Sequence, residues 1–393
     1  MAKLRVAMIA PPWLAVPPAG YGGIENVLSA LVPELGRQGV EVELFATGDS
    51  TIGAKKLHSI YPNGQYEHIH SPIFVAGSIA AAQILFALNE IKAAGNFDII
   101  HDHNGYFGPL AMARLGAGFP PTLHTLHGPP FSTKERISKE MPDNRPFWRQ
   151  LGQAQNFYLV GISEALMRGA PKELRPIILP AVHNAVALDE FPFVEKKDDY
   201  FITLARFHPE KGQALAVKLA RELDVKLKMA GVVADMTDPK RVLLELINPL
   251  SNYRSLADFR YYSDYIFPYL AADQIEFVGE VSGARKLKFI SRAKALLFPI
   301  NWDEPFGMAP IEALSCGTPV IAMRRGALPE IIEHGVNGFL ADTPAQFKAY
   351  MQRVDEIDPA ACRKSVEAKF SAGVMAKAYI DRYHQILALP KSK

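Results

Sequence analysis

Residues 302–320 read Trp302-Asp303-Glu304-Pro305-Phe306-Gly307-Met308-Ala309-Pro310-Ile311-Glu312-Ala313-Leu314-Ser315-Cys316-Gly317-Thr318-Pro319-Val320. The apolar run at 295–300 predicts a buried strand before them, and 320–323 predicts another after them. Between the two, a loop leads into a helix expected to open near Pro310, where the missing N–H costs nothing, and to close at Gly317 and Pro319. Strand, loop, helix, strand is the repeating unit of a parallel α/β sheet. Glu304 is expected on the loop at the carboxyl end of the first strand, and Glu312 in the first helical turn. Gly307 has no side chain to keep a ligand away from its backbone. The helix start offers unpaired N–H groups to an anion, and an ionised carboxylate accepts from paired hydroxyls. The stretch suits a polyhydroxylated ligand that also carries phosphate.

Working outward, 393 residues exceed one ordinary core and predict about two domains. A hydrophobic content of 49% with 21% charged residues describes a globular protein, and a net charge of +2 gives no basic field for nucleic acid. Cys316 and Cys362 lie too far apart for metal-ligand spacing, and two cysteines make no disulfide framework. The chain enters a strand at 4–10 without a signal-peptide pattern, so a cytoplasmic location is expected. The apolar stretch 73–88 is shorter than the ~20 residues of a spanning helix and predicts a buried helix, with docking on a membrane surface left open.

Upstream, the first strand ends at Pro11-Pro12, and a Pro/Gly-rich loop leads to Gly22-Gly23 and a helix running to about Gln38. A second strand at 40–45 completes the start of a doubly wound sheet. Gly20 and Gly22 begin a dinucleotide fingerprint, but Glu25 stands where its third glycine belongs. Bare N–H groups at Gly22 and Gly23 still suit phosphate, and a surface loop is an equal reading. Strands at 96–100 and 122–126 end beside His101, His103 and His127, on the edge of the sheet where ligands collect. No second cluster at ligand spacing supports a zinc site. Residues 160–163 predict the last strand of the first half, with Ser163 capping the next helix, and 177–193 predict the crossover.

A charged linker at 195–199 precedes a strand at 200–205, then Arg206 and Lys211 around a short loop. A planar fork and a point charge at a strand's carboxyl end suit a pyrophosphate. The aromatic segment 232–273 is expected to fill a core, a strand at 275–282 exits near Val281, and a last helix is expected at about 371–387. No Asp-x-Asp triplet is present.

Glu304-Pro-Phe-Gly with Glu312, Arg206-x4-Lys211-Gly, Tyr21-Gly-Gly-Ile-Glu, His101-Asp-His and Thr125-Leu-His-Gly together resemble the retaining glycosyltransferases of family four (group 1), in their avilamycin-biosynthesis-type branch. The likeness spans nearly the whole chain. It implies a GT-B fold: two Rossmann-like doubly wound α/β domains facing an interdomain cleft, with a C-terminal helix returning to the first. The expected domains are 1–190 on the acceptor side, 195–370 binding the nucleotide sugar, and 371–393 as the returning helix. The implied activity is metal-independent, retaining hexosyl transfer from a nucleoside-diphosphate sugar to a hydroxyl acceptor in glycan, glycolipid or metabolite synthesis. UDP-sugar is the first expectation for the donor and GDP-mannose the second; no cofactor, metal or nucleic-acid partner is implied. Catalytic roles fall to Arg206, Lys211, Glu304 and His127. Substrate contacts fall to Gly22, Gly23, Glu312, Phe306, Gly307, Met308, Ala309 and Val281, with His101 and His103 on the acceptor side. The alternatives are a sugar-nucleotide 2-epimerase, which needs no acceptor, and a non-catalytic sugar-nucleotide-binding relative. A nicotinamide oxidoreductase is disfavoured by Glu25. The chain departs from the family at Asn184-Ala185-Val186-Ala187, where Asn-Gly-Val/Ile-Asp is usual, and this bears on the hinge rather than on the donor motifs.

Overall fold

The computed structural model describes residues 3–20, 22–116, 118–132, 142–270 and 273–390. The chain divides into two units, Met1–Val186 with Ala372–Lys393, and Ala187–Ser371. The first is built on strands β1 (Arg5–Ile9), β2 (Glu41–Phe45), β3 (Lys56–His58), β4 (Ile99–Asp102), β5 (Thr122–Leu126), β6 (Phe157–Gly161) and β7 (Ile178–Leu179). They lie in the order β3-β2-β1-β4-β5-β6-β7, every pair parallel. The inner strands are apolar on both faces because helices cover both. Val6, Met8, Ile9, Leu44, Ile99, Ile100, Leu123 and Leu159 are all fully buried. The winding reverses between β1 and β4, and at such a reversal the loops beyond the carboxyl ends part and leave a crevice.

Helix Gly23–Arg37 turns Val27, Leu28, Leu31 and Leu35 inward, at the spacing expected of one helical face. Helix Ala372–Ala388 packs in the same unit, with Gln38 Nε2 donating to the Gly373 carbonyl at 3.0 Å. Ser163 Oγ accepts from Leu166 N and caps helix Glu164–Met167. Two expectations are corrected. Residues 178–179 are not crossover but strand β7, paired with Leu159 and Val160 of β6. The helix expected at 73–88 runs Ile73–Ala94, 22 residues, and is long and apolar enough to cross a membrane by length and composition. Asn89, Glu90 and Lys92 continue it until Gly95 ends it with φ +62°. Only one face is buried, at Gly77, Ala80, Ile84, Ala87 and Ile91, while Ile73, Phe74 and Leu85 are exposed.

The second unit contains β8 (Phe201–Leu204), β9 (Leu227–Ala230), β10 (Ile275–Gly279), β11 (Ala295–Phe298), β12 (Val320–Met323) and β13 (Gly338–Ala341). Their order is β10-β9-β8-β11-β12-β13, again all parallel, with the reversal between β8 and β11. The aromatic segment fills the core only in part: Phe259, Tyr261 and Tyr262 are buried, while Tyr265, Phe267 and Tyr269 are exposed, and Phe207 meets Tyr262 and Phe277 edge-on with ring centroids 5.0 and 5.1 Å away.

The loop after β8 is pressed against the loop after β11. Asn301 N donates to the Glu210 carbonyl at 3.0 Å and Asn301 Nδ2 to the Pro209 carbonyl at 2.9 Å. Gly212 closes the contact with φ +69°; a Cβ there would stand 1.9 Å from the Pro299 carbonyl oxygen. Gly212→Ala therefore combines left-handed strain with a backbone clash, and is expected to cost about 3 kcal/mol of stability. Urea unfolding checks this; coincident curves for variant and parent would show that the two loops part freely.

Candidate functional site

The carboxyl ends of β8 and β11 flank the reversal of the second sheet, and the charged motif residues follow them directly. Lys211 Nζ lies 2.8 Å from Glu304 Oε2, with both side chains largely buried. Trp302 Nε1 donates to the same oxygen at 3.0 Å, and the ammonium sits 4.8 Å above the Trp302 ring. Both bonds converge on Oε2, so Oε1 keeps its lone pairs for a further donor. The Glu304 backbone is fixed as well: its carbonyl accepts from Ala327 N at 2.9 Å, and Gly326 packs so closely that a Cβ would stand 2.2 Å from that oxygen. Sequence reasoning assigned Trp302 no role; its place two residues before Glu304 was the available signal.

Gly307, with φ +117°, caps helix Met308–Ser315. This corrects the expected start near Pro310. The helix opens two residues earlier because only glycine takes that backbone angle easily, and Glu312 consequently lies in the second turn. Its carboxylate is held by Lys286 Nζ at 2.7 Å, from helix Gly283–Ser291. Phe306 is buried, and Met308 and Ala309 supply the first N–H groups of the helix. At the other end, Lys197 Nζ donates to the Cys316 carbonyl at 3.0 Å and Arg363 to the Ser315 carbonyl at 2.7 Å. Two cations at the carboxyl end thus anchor the helix and favour its dipole.

Arg206 stands half-exposed on the same rim and pairs with Asp258 at 3.2 Å. His208 Nε2 lies 3.6 Å from the other oxygen of Asp258. Val281 is buried just beyond β10. Among the described residues no group of three or more His, Cys, Asp or Glu is arranged to hold a metal ion.

In the first unit, Gly22 and Gly23 follow β1 and open helix Gly23–Arg37; Tyr21 lies outside the described residues. A Cβ on Gly22 would meet Pro18 at 2.7 Å, whereas the space over Gly23 is empty and open to a ligand. Burial raises the carboxyl of neighbouring Glu25 above its ordinary value, with its own backbone N–H pulling the other way.

His101 does not meet the rim. Its ring is fully buried, with Nδ1 2.7 Å from the Tyr383 hydroxyl and Nε2 2.8 Å from Thr125 Oγ1. The acceptor-side expectation for His101 is corrected on this ground, since both ring nitrogens are engaged inside the protein. Tyr379 extends the network with its hydroxyl 3.1 Å from Thr125 Oγ1. His103 is buried too, and its Nδ1 lies 2.8 Å from Nε2 of His127. It stands behind His127 rather than at the surface. His127 itself, just past β5, is half-buried. Beside this row, Asp102 accepts from Asn104 and lies 2.6 Å from His124 Nδ1. Gly108 leaves room for that carboxylate, because a Cβ there would fall 2.0 Å from Asp102 Oδ2.

Two family descriptions match the chain: "Glycosyltransferase Family 4" over residues 21–163 and "Glycosyl transferases group 1" over residues 188–363. A D-inositol 3-phosphate glycosyltransferase of Nocardioides sp. is 25% identical over 371 residues, covering 86% of this chain and 78% of that protein. The crystal structure of AviGT4, a glycosyltransferase involved in avilamycin A biosynthesis, superposes with a TM-score of 0.65 at 22% identity over 98% of each chain. Anabaena Alr3699/HepE in complex with UDP and glucose superposes with a TM-score of 0.62 at 16% identity, covering 97% of this chain and 99% of that one. The two structural likenesses show the fold.

Burial pushes the imidazoles of His101 and His103 well below their ordinary range, and the surrounding histidines add to the effect. Burial, then the charge of His124, lowers His127 to about 3. These rings stay neutral when folded but take up protons near 6.5 when unfolded, so the unfolded state gains protons first as pH falls. Their contribution is complete above pH ~6.5 and is lost toward pH 3, with a slope of up to ~1.4 kcal/mol per pH unit for each ring. Urea midpoints at pH 7 and pH 5 should show the first unit weakening in acid, and His103→Asn should flatten that limb. An unchanged limb would assign it to other groups.

Proposed function

The chain belongs to the family 4, group 1 glycosyltransferases and is a glycosyltransferase of GT-B fold, and from that premise we propose that it transfers a sugar from a nucleoside-diphosphate sugar to a hydroxyl acceptor. UDP-sugars are the first donor class and GDP-mannose the second. One observation carries the reading: a cation, a carboxylate and a helix N-terminus gather at the point where the second sheet reverses. In transfer the bond from the sugar's C1 to the β-phosphate oxygen breaks, C1 bonds to the acceptor oxygen, and the acceptor's proton is released. Negative charge grows on the departing diphosphate. Fixed positive groups that need no rearrangement stabilise such charge most effectively.

Each side chain takes a role that its chemistry fits. Lys211 and Arg206 meet the diphosphate, assisted by the N–H groups of Met308 and Ala309; Gly22 and Gly23 are the first unit's candidate groups for a phosphate. Glu312, oriented by Lys286, accepts from the ribose hydroxyls, with the base near Val281. Glu304 accepts from the donor sugar through Oε1, while the backbone of Phe306 and Gly307 approaches it closely. His127 is the first unit's candidate sugar contact. No step requires a metal ion, and transfer with retention at C1 is the stereochemical outcome proposed. D-inositol 3-phosphate glycosyltransferases among the relatives make a phosphorylated polyol the first acceptor class to screen.

Calorimetric titration with UDP, GDP and ADP, without added metal, tests the donor class; tight binding of a single diphosphate is expected. Silence with all three, even after Mg²⁺ is supplied, would sink the reading. Lys211→Ala should lower turnover by roughly 10²–10³-fold, the scale of one removed transition-state partner. Glu312→Gln should chiefly weaken nucleotide affinity, and an unaltered affinity would take it off the ribose.

A further inference from the structure

The buried histidine row beneath the first rim contains an asymmetry. His103 Nδ1 and His127 Nε2 are 2.8 Å apart, so one of them carries the proton of that bond. The other nitrogen of His103, Nε2, is buried with no hydrogen-bond partner among the described residues. The other nitrogen of His127, Nδ1, belongs to a half-buried ring and has no partner among the described residues. If His127 donated, the proton of His103 would sit on its orphaned Nε2, leaving a buried N–H with nothing to accept it. Such orphans are rarer in folded proteins than under-used acceptors. If His103 donates, its bare Nε2 is the cheaper orphan, and the proton of His127 must reside on Nδ1.

We propose that His103 is a positioning residue that fixes His127 as the Nδ1–H tautomer, so that His127 presents a hydrogen-bond donor to an acceptor oxygen of its ligand. The packing supports this role. His101 packs against His103 with ring centroids 4.1 Å apart and the planes tilted by 42°. His101 is itself clamped by Tyr383 on one nitrogen and Thr125 on the other. His103 N donates to the Ile9 carbonyl at 3.0 Å, which fixes the backbone from which the ring projects. A buried ring packed against its neighbour and fixed through its backbone has little room to swing and exchange donor for acceptor. The ligand, on the reading above that the protein transfers a sugar, is a hydroxyl oxygen of the donor sugar. His127 would serve it as a donor only and would therefore discriminate against a sugar lacking that oxygen.

The test uses the full-length chain with ¹⁵N-labelled histidine. Nitrogen spectra distinguish protonated from bare ring nitrogens, and in the wild-type protein His127 should show its proton on Nδ1. His103→Leu removes the donor at similar volume. His127 should then revert to Nε2–H, the form a free side chain prefers in water, and kcat/KM for the nucleotide sugar should fall about tenfold, as for one lost hydrogen bond. His103→Asn places an amide N–H where Nδ1 stood and should restore both the tautomer and most of the rate. A wild-type His127 protonated on Nε2 overturns the proposal without any variant. So does a His103→Leu protein whose His127 tautomer is unmoved. His127→Ala separates this from the broader assignment: wild-type donor kinetics in that variant would remove His127 from the sugar, while the tautomer spectra would still stand or fall on His103.

Discussion

The contact between the loops after β8 and β11 is the constraint on which the second unit's chemistry depends. Neighbouring parallel strands bring their carboxyl ends together, but they do not by themselves bring Lys211 onto Glu304. That requires a residue without a side chain at 212, against the carbonyl of Pro299, and the two bonds from Asn301 that hold the loops in register. The ammonium is then delivered to a carboxylate and an indole with little freedom left to lose. A second glycine, at 326, performs the same service behind Glu304. The helix from Met308 to Ser315 is secured at its far end by Lys197 and Arg363. Three segments that meet at the rim are each fixed from behind, which is what electrostatic preorganisation requires of a scaffold.

The first unit solves a different problem. Its rim carries His127, backed by the buried His103 and His101, and burial keeps these rings neutral. A neutral imidazole has a direction: one nitrogen gives and the other receives. The groups around it therefore matter through their hydrogen-bond sense more than through their charge. His124 with Asp102 forms a separate polar pair beside the row, held in place by Asn104 and the bare Cα of Gly108.

Local signals were legible in the chain. Strand-loop-helix alternation marked two doubly wound sheets, Ser163 marked its helix start, and the spacing of Glu304 and Glu312 placed one on a loop and one on a helix. What escaped depended on residues distant in sequence or on backbone angle. Strand β7 is two residues long and has no periodicity to read. The start of helix Met308–Ser315 was set by the φ of Gly307, which outranked the proline signal three residues on. His101 and His103 share a dipeptide-scale motif with nothing to say which faces water; that was decided by tyrosines some 280 positions away. Lys286 and Asp258 sit in ordinary amphipathic helices, and only their partners give them meaning.

Tyr379 and Tyr383 belong to the last helix yet complete a core that opens with β1. The first unit is therefore closed by a segment synthesised after the whole second unit. As the chain leaves the ribosome, the first sheet can wind and the whole second unit can fold, while His101 waits with an open flank for a helix not yet translated. During that interval the nascent first unit exposes the apolar seat of Met375 and Ala376 as well. The unit that emerges first therefore cannot complete its histidine row until helix Ala372–Ala388 has been made.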